Sequence, residues 1–152
     1  MYLQSLSAPP GRLAPGVEKL QIQLVFTGFA TAKAALAAAG QYARDLGARI
    51  TILAAQVVPY PLPLEKPPVD VALLERGLGV LAAAQPLEIA IQIYLCRDRW
   101  EAIRNALPRE STVIIGGRRR WWRPSTEQRF AGVLRRDGHR VIFLNQIGRA
   151  HV

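Results

Sequence analysis

Apolar side chains along this chain recur with two spacings: every second residue in short runs, and every third or fourth residue in longer ones. The short runs are rich in branched and aromatic side chains, which is typical of β-strands. The longer runs have the period of an amphipathic helix. Five strands are predicted in this way, at residues 21–26, 49–57, 88–95, 111–115 and 140–144.

Four helices are predicted in the segments between these strands. Two of them open with a capping-box pattern, formed by Asp98 with Glu101 and by Ser125 with Gln128. Thr31 is the predicted cap of the first helix. The helices are predicted at about residues 31–46, 69–84, 98–107 and 125–137.

The alternation of strands and helices predicts the fold class. Such an order is typical of a parallel sheet with helices on both faces, so one three-layer α/β domain is predicted over residues 21–145. Residues 1–20 are predicted to form an irregular N-terminal arm, and residues 146–152 a C-terminal tail. Five prolines in residues 59–68 predict an extended connector between the second strand and the second helix.

The predicted sheet also locates a ligand site. In open parallel sheets a ligand lies beyond the carboxyl ends of the strands, where the strand order reverses. The residue pairs expected around one crevice are Thr27-Gly28, Val57-Val58, Cys96-Arg97 and Gly116-Gly117.

Composition excludes several classes of protein. The 152 residues are 50% hydrophobic and 20% charged, which excludes an intrinsically disordered chain. No apolar run approaches the roughly 20 residues that a membrane-spanning helix needs, and no secretory signal is recognisable. Cys96 is the only cysteine, so neither an internal disulfide nor a cysteine-only metal cage is expected. These features predict a cytoplasmic protein without a transmembrane segment and without a metal site.

Positive charge is concentrated in the second half of the chain. The formal net charge is +9 with a pI near 10.8, which favours an anionic partner. Residues 97–140 hold 12 arginines and 5 acidic residues. The segment GGRRRWWRP at residues 116–124 combines this charge with two tryptophans.

This arginine- and tryptophan-rich loop is the main candidate for binding. Arginines bind phosphate bidentately, a helix N-terminus favours anions, and tryptophan stacks on bases. The alternative is a solvated basic loop with one tryptophan packed on the core. The predicted ligand-binding residues are Thr27, Gly28, Val57, Gly116, Gly117, Arg118, Arg119, Arg120 and Ser125, and the predicted partner-binding residues are Trp121, Trp122 and Arg123.

Catalytic chemistry has little support in the sequence. Arg97 and Arg99 could lower the pKa of Cys96, but the only histidines, His139 and His151, lie far along the chain, so a structural cysteine is favoured. The chain has no nucleophile elbow, no Walker-type loop and no GxGxxG motif. An enzyme is therefore not expected, although weak ATP hydrolysis is left open.

Two parts of the sequence resemble the universal stress protein family. Thr27-Gly28 before an alanine-rich helix and GARITILAAQVV resemble its first β-α-β unit, and STVIIGGRR with RRDGHRVIFL resembles its last two strands. The resemblance covers about residues 21–145 and implies that the five predicted strands lie in the order 3-2-1-4-5. It also implies frequent dimerisation, a role in the cytoplasmic stress response and, in some members, binding of ATP or AMP.

The nucleotide-binding residues of that family are mostly replaced here. Thr27 stands where these members have an aspartate, Arg119 stands at the second glycine of their glycine motif, and Glu127-Gln128 stand at its final Gly-Ser pair. A carboxylate at a phosphate site repels the ligand, so ATP binding is expected to be weak.

The expected function is therefore that of a non-enzymatic stress-response or regulatory module without a required cofactor. It would bind a small anionic ligand or an acidic protein surface, and it would form a homodimer through the edge strand at residues 140–144. One alternative is a true ATP or AMP binder in which residues 118–120 replace the glycine-serine pair that binds phosphate in the resembled family. Another is a nucleic-acid-binding protein that uses the arginine- and tryptophan-rich loop.

Overall fold

Seven strands and four helices are present in the computed structural model, which describes residues 2–7, 20–118, 120–145 and 150–151. Every helix and every inner strand predicted from the sequence is found, with ends shifted by a few residues. The strands are β1 (Tyr2–Ser7), β2 (Gln21–Val25), β3 (Arg49–Val57), β4 (Ile89–Cys96), β5 (Thr112–Gly117), β6 (Arg140–Asn145) and β7 (Ala150–His151). The helices are α1 (Phe29–Leu46), α2 (Val71–Ala83), α3 (Arg99–Ala106) and α4 (Thr126–Arg136).

The strands form one sheet in the order β1-β4-β3-β2-β5-β6-β7. Its five central strands are all parallel, and they have the predicted order 3-2-1-4-5. The chain moves outward from β2 through β3 to β4 and then returns to β5 on the other side of β2. The strand order therefore reverses between β2 and β5, and this is where a ligand crevice is expected in such sheets.

Two antiparallel strands at the sheet edges differ from the predicted irregular arm and tail. Strand β1 pairs with β4, with Leu6 opposite Ile91, and β7 pairs with β6, with Ala150 opposite Leu144. A sheet edge presents a row of unpaired N–H and C=O groups, and these terminal segments supply partners for them. The prolines that suggest an irregular arm lie after β1, outside the described residues.

The pairing of β6 with β7 restricts how a homodimer could form through this strand. The homodimer itself stays a prediction. Phe143 is paired with His151 and Leu144 with Ala150, so part of this edge is already occupied within the chain. A second copy would have to pair with the rest of β6 or displace β7.

The core consists of two apolar layers, one on each face of the sheet. Alternate strand residues such as Ile22 and Ile52 pack against α1 and α2, together with the fully buried Leu36 and Leu78. The other face packs against α3 and α4 through residues that include Val25, Ile115, Ile103, Phe130 and Leu134. Helices on both faces complete the predicted three-layer domain.

Helix caps follow the sequence signals with one exception. Ser125 and Gln128 make the full reciprocal capping box of α4, and the Asp98 carboxylate accepts from the N–H groups of Trp100 and Glu101. The predicted cap at Thr31 is wrong: α1 begins at Phe29 after Gly28, and Thr31 lies inside its first turn.

Thr31 instead packs against the end of β5. A Cβ added at Gly116 would lie 2.1 Å from Thr31 Cγ2, so only a glycine lets α1 approach the strand this closely. Gly132 in α4 provides a contrast, because a Cβ there would meet nothing within 4 Å.

We expect Gly116→Ala to lower the free energy of unfolding by about 1–3 kcal/mol, because it overpacks this contact. Gly132→Ala should instead raise it by roughly 0.5–1 kcal/mol, since alanine is the better helix former and has open space. Urea unfolding followed by circular dichroism measures both values. Adding Thr31→Ser to Gly116→Ala removes the methyl group and should restore most of the loss. An equal effect of the two glycine replacements would contradict the packing explanation.

Candidate anion-binding site

A cleft of about 570 Å³ opens at the carboxyl edge of the sheet, where the strand order reverses. The residues after β2, the end of β5, the loop that follows it and the first turns of α1 and α4 all contribute to its wall. The lining residues are Thr27, Thr31, Gly117, Arg118, Arg120, Arg123, Pro124, Ser125, Thr126, Glu127 and Arg129.

Two hydrogen bonds join the strands beneath this cleft. The Thr27 hydroxyl donates to the carbonyl oxygen of Gly116 over 2.9 Å, which ties the end of β2 to the end of β5. The Arg99 guanidinium donates to the carbonyl oxygen of Phe26 over 2.7 Å, which ties the start of α3 to the same place. The Thr27 hydroxyl is thus engaged with the backbone.

Gly117 brings helix α4 against the end of β5. A Cβ at Gly117 would lie 2.7 Å from Glu127 Cβ, so a side chain there would push the first turn of α4 away from the strand. Successive strand residues face opposite sides of a sheet. Gly116 therefore accommodates α1 on one face, and Gly117 accommodates α4 on the other.

The side chain of Gln128 holds the loop between β5 and α4. Its Oε1 accepts from the N–H of Ser125 at 2.8 Å and from the N–H of Arg120 at 3.2 Å. The Ser125 hydroxyl in turn accepts from the N–H of Gln128 at 3.2 Å. One amide group therefore fixes both ends of the segment that carries Trp121 and Trp122.

The charge of the cleft is strongly positive. Four arginines (118, 120, 123 and 129) line it, against the single carboxylate of Glu127. Arg120, Arg123 and Arg129 are exposed. Thr126 and Glu127, the first residues of α4, also belong to the lining, and the first N–H groups of a helix have no acceptor within it. Clustered cations beside a helix N-terminus repel one another and attract an anion.

Arg99 adds a half-buried cation next to this site. Burial lowers the pKa of its guanidinium, and the negative charge of Glu127 opposes that shift. Within the described part of the chain, Arg99 Nε is buried without a hydrogen-bond acceptor. This half-buried cation adds to the positive charge near Glu127.

The cleft brings together about half of the residues predicted for the site. Thr27, Gly117, Arg118, Arg120, Arg123 and Ser125 line it. Gly28, Val57, Gly116, Trp121 and Trp122 do not belong to the lining, and Arg119 lies outside the described residues. The sequence prediction missed Thr31, Pro124, Thr126, Glu127 and Arg129.

Val57 lies away from the cleft, at the end of β3, where a different arginine is engaged. Arg97 donates to the carbonyl oxygen of Val58 over 2.7 Å, and its guanidinium stacks 4.1 Å from the centre of the Tyr60 ring. Val57 therefore lies outside the cleft, beside this stacked pair, whose Tyr60 ring is largely exposed.

Cys96 shows no sign of activation. Burial raises the pKa of its thiol, and this effect outweighs the neighbouring positive charge of Arg99. Its Sγ is 3.7 Å from the carbonyl oxygen of Gln56. Arg99 does act to lower this pKa, as the sequence suggests, but desolvation dominates, so the pKa is raised.

His139 lies at the opposite edge of the sheet, where its Nδ1 accepts from the N–H of Ser111. Among the described residues, no three His, Cys, Asp or Glu side chains are grouped closely enough to hold a metal ion. No helix in the described ranges has the length and apolar character required to cross a bilayer.

Comparison with protein-family models, with curated proteins and with solved structures gives no match. The geometry of this cleft is therefore the basis for any functional conclusion.

Removing the Gln128 acceptor should loosen the loop. We expect Gln128→Ala to lower the free energy of unfolding by roughly 0.5–2 kcal/mol, the usual range for the loss of a cap. Amide exchange at Arg120 and Ser125 should accelerate, as measured by nuclear magnetic resonance. Gln128→Glu keeps the acceptor and should keep both amides protected. Unchanged exchange in Gln128→Ala would show that something else holds the loop.

Proposed function

We propose that this chain is a non-enzymatic binding module, similar to universal stress proteins, that serves a stress-response or regulatory role by binding a small anionic ligand in the arginine-lined cleft. One observation carries the proposal: the cleft lies where the strand order reverses between β2 and β5, and four arginines line it. The strand order supports the similarity, because the sequence resemblance implies the same order.

The chemistry of the lining supports binding over catalysis. Its polar groups are arginines, hydroxyls, backbone amides and one carboxylate. The thiol of Cys96 has a raised pKa, the opposite of what an activated nucleophile needs. His139 is held at the other edge of the sheet. An anion held here would gain charge-assisted hydrogen bonds without a neighbouring acid-base pair to transform it.

The proposal retains two expectations from the sequence, a homodimer and a cytoplasmic location. The single cysteine supports a reducing compartment. An acidic surface on a protein partner would suit the same arginines, since carboxylates and phosphates are both bound bidentately by guanidinium groups.

Calorimetry with pyrophosphate tests the site, because this probe carries phosphate charge without a base or sugar. We expect Arg120→Ala combined with Arg123→Ala to weaken binding at least about tenfold, since hydrogen bonds to charged groups are each worth about 1.5–3 kcal/mol. Arg136→Ala combined with Arg140→Ala changes the net charge equally. Those two arginines are exposed and lie near the amino end of β6, away from the carboxyl ends of the strands where the cleft opens. This control should therefore retain binding. Equal losses in both double variants would mean that overall charge, and not the cleft, attracts the anion.

For nucleotide, we expect weak or absent binding of Mg-ATP, because Glu127 places a carboxylate in the cleft. The variant Glu127→Gln removes this charge and should strengthen the binding of both pyrophosphate and ATP several-fold. Calorimetry measures each constant. A dissociation constant for Mg-ATP in the low micromolar range or tighter in the unmodified protein would contradict this expectation.

A further inference from the structure

Trp121 and Trp122 form an exposed aromatic pair beside the cleft. Their relative exposures are 89% and 70%, among the highest of the large apolar side chains. The two rings contact each other edge to face, with centroids 5.3 Å apart and planes at 85°. Neither indole lies in the buried core. An exposed apolar cluster surrounded by polar groups marks an interaction site.

The other aromatic rings at this edge of the sheet have partners. Arg97 stacks on Tyr60, and Arg99 stacks 4.9 Å from the centre of the Trp100 ring, which also packs on Phe130. Among the described residues, no guanidinium stacks on Trp121 or Trp122. Apart from the one ring face that the other indole covers, the ring faces of this pair are therefore open to a ligand.

The pair is joined directly to the cleft. Arg120 and Arg123 flank the two tryptophans in sequence and line the cleft, whereas the indoles stand outside it. Because Gln128 binds the N–H groups of Arg120 and Ser125, the loop has a fixed base. A small anion within the cleft would leave both indoles unused. A ligand that uses the whole surface must carry negative charge and, close by, flat aromatic groups.

We propose that this surface binds single-stranded nucleic acid, with phosphates in the arginine-lined cleft and bases stacked on Trp121 and Trp122. This inference rests on the proposed binding of an anion in the cleft, and it replaces the small anion with the phosphates of a strand. Single strands offer unpaired bases whose faces can stack on aromatic side chains, whereas in a duplex those faces are already stacked on neighbouring bases. Since every base has a π-face, such binding tolerates many sequences.

The shape of the charged surface favours a strand over an anionic membrane. The arginines line a concave cleft of about 570 Å³, which suits a chain of phosphates that can enter it. A bilayer presents a broad, nearly flat layer of headgroups, and these reach a concave wall less well. Binding to lipid vesicles is the alternative that the test includes.

The test uses the full chain and two fluorescein-labelled strands of equal length, oligothymidine and an abasic strand. Both strands carry the same phosphates, but only oligothymidine has bases. Fluorescence anisotropy should show tighter binding of oligothymidine. Trp121→Ala and Trp122→Ala should weaken its binding by about 5- to 150-fold for each base that loses its stacking partner. Binding of the abasic strand should not change.

Two further variants separate charge from stacking. Arg120→Ala with Arg123→Ala should weaken binding of both strands and reduce the slope of log K against log salt by about 1.4, since each phosphate contact on a single strand contributes about 0.7. Trp121→Phe with Trp122→Phe should retain most of the preference for oligothymidine. Circular dichroism confirms that each variant is folded, which is expected because these side chains are exposed.

Three results would overturn the proposal. Equal affinity for the two strands, with no effect of the tryptophan variants, would show that base stacking does not contribute to binding. Binding of pyrophosphate without binding of either strand would leave the proposed function intact and exclude nucleic acid. Tryptophan-dependent co-sedimentation with phosphatidylserine-containing vesicles, without binding of oligothymidine, would assign the surface to a membrane.

Discussion

The lack of side chains at Gly116 and Gly117 is the constraint on which the rest of the site depends. A Cβ at the first would meet Thr31 of α1, and a Cβ at the second would meet Glu127 of α4. Two helices on opposite faces can therefore begin against the end of the same strand. Their first turns form the walls of the cleft, and the loop between β5 and α4 has to leave the sheet there. The glycines act by permitting close packing, because neither is needed for a positive φ angle.

The clustered arginines are tolerated because the stability of the fold comes from elsewhere. Two apolar layers, one on each face of the sheet, bury residues such as Ile22, Leu36, Ile115 and Leu134 almost completely. The arginines at the carboxyl edge, by contrast, are mostly exposed. Mutual repulsion between exposed cations is weakened by water and salt, so it costs the folded state little. The same repulsion becomes a driving force for binding when an anion enters the cleft.

Two polar side chains at the cleft have structural roles of their own. Thr27 bonds the carbonyl of Gly116, and Gln128 holds the N–H groups of Arg120 and Ser125. The loop between β5 and α4, which carries arginines and tryptophans, is therefore held at both ends by one side chain.

The sequence by itself determined the order of elements, the parallel sheet, and the starts of the two helices with a capping-box pattern, α3 and α4. These follow from hydrophobic period and capping, which are local properties. It also located the arginine- and tryptophan-rich loop at the correct edge, because the carboxyl ends of parallel strands share an edge. Only the tertiary structure decided which residues meet there. Thr31 and Arg129 joined the cleft because their helices pack close to glycines, whereas Val57, at the end of β3, lies outside it. The edge strands β1 and β7 also needed the assembled sheet, since weakly patterned segments pair only when an unpaired strand is beside them.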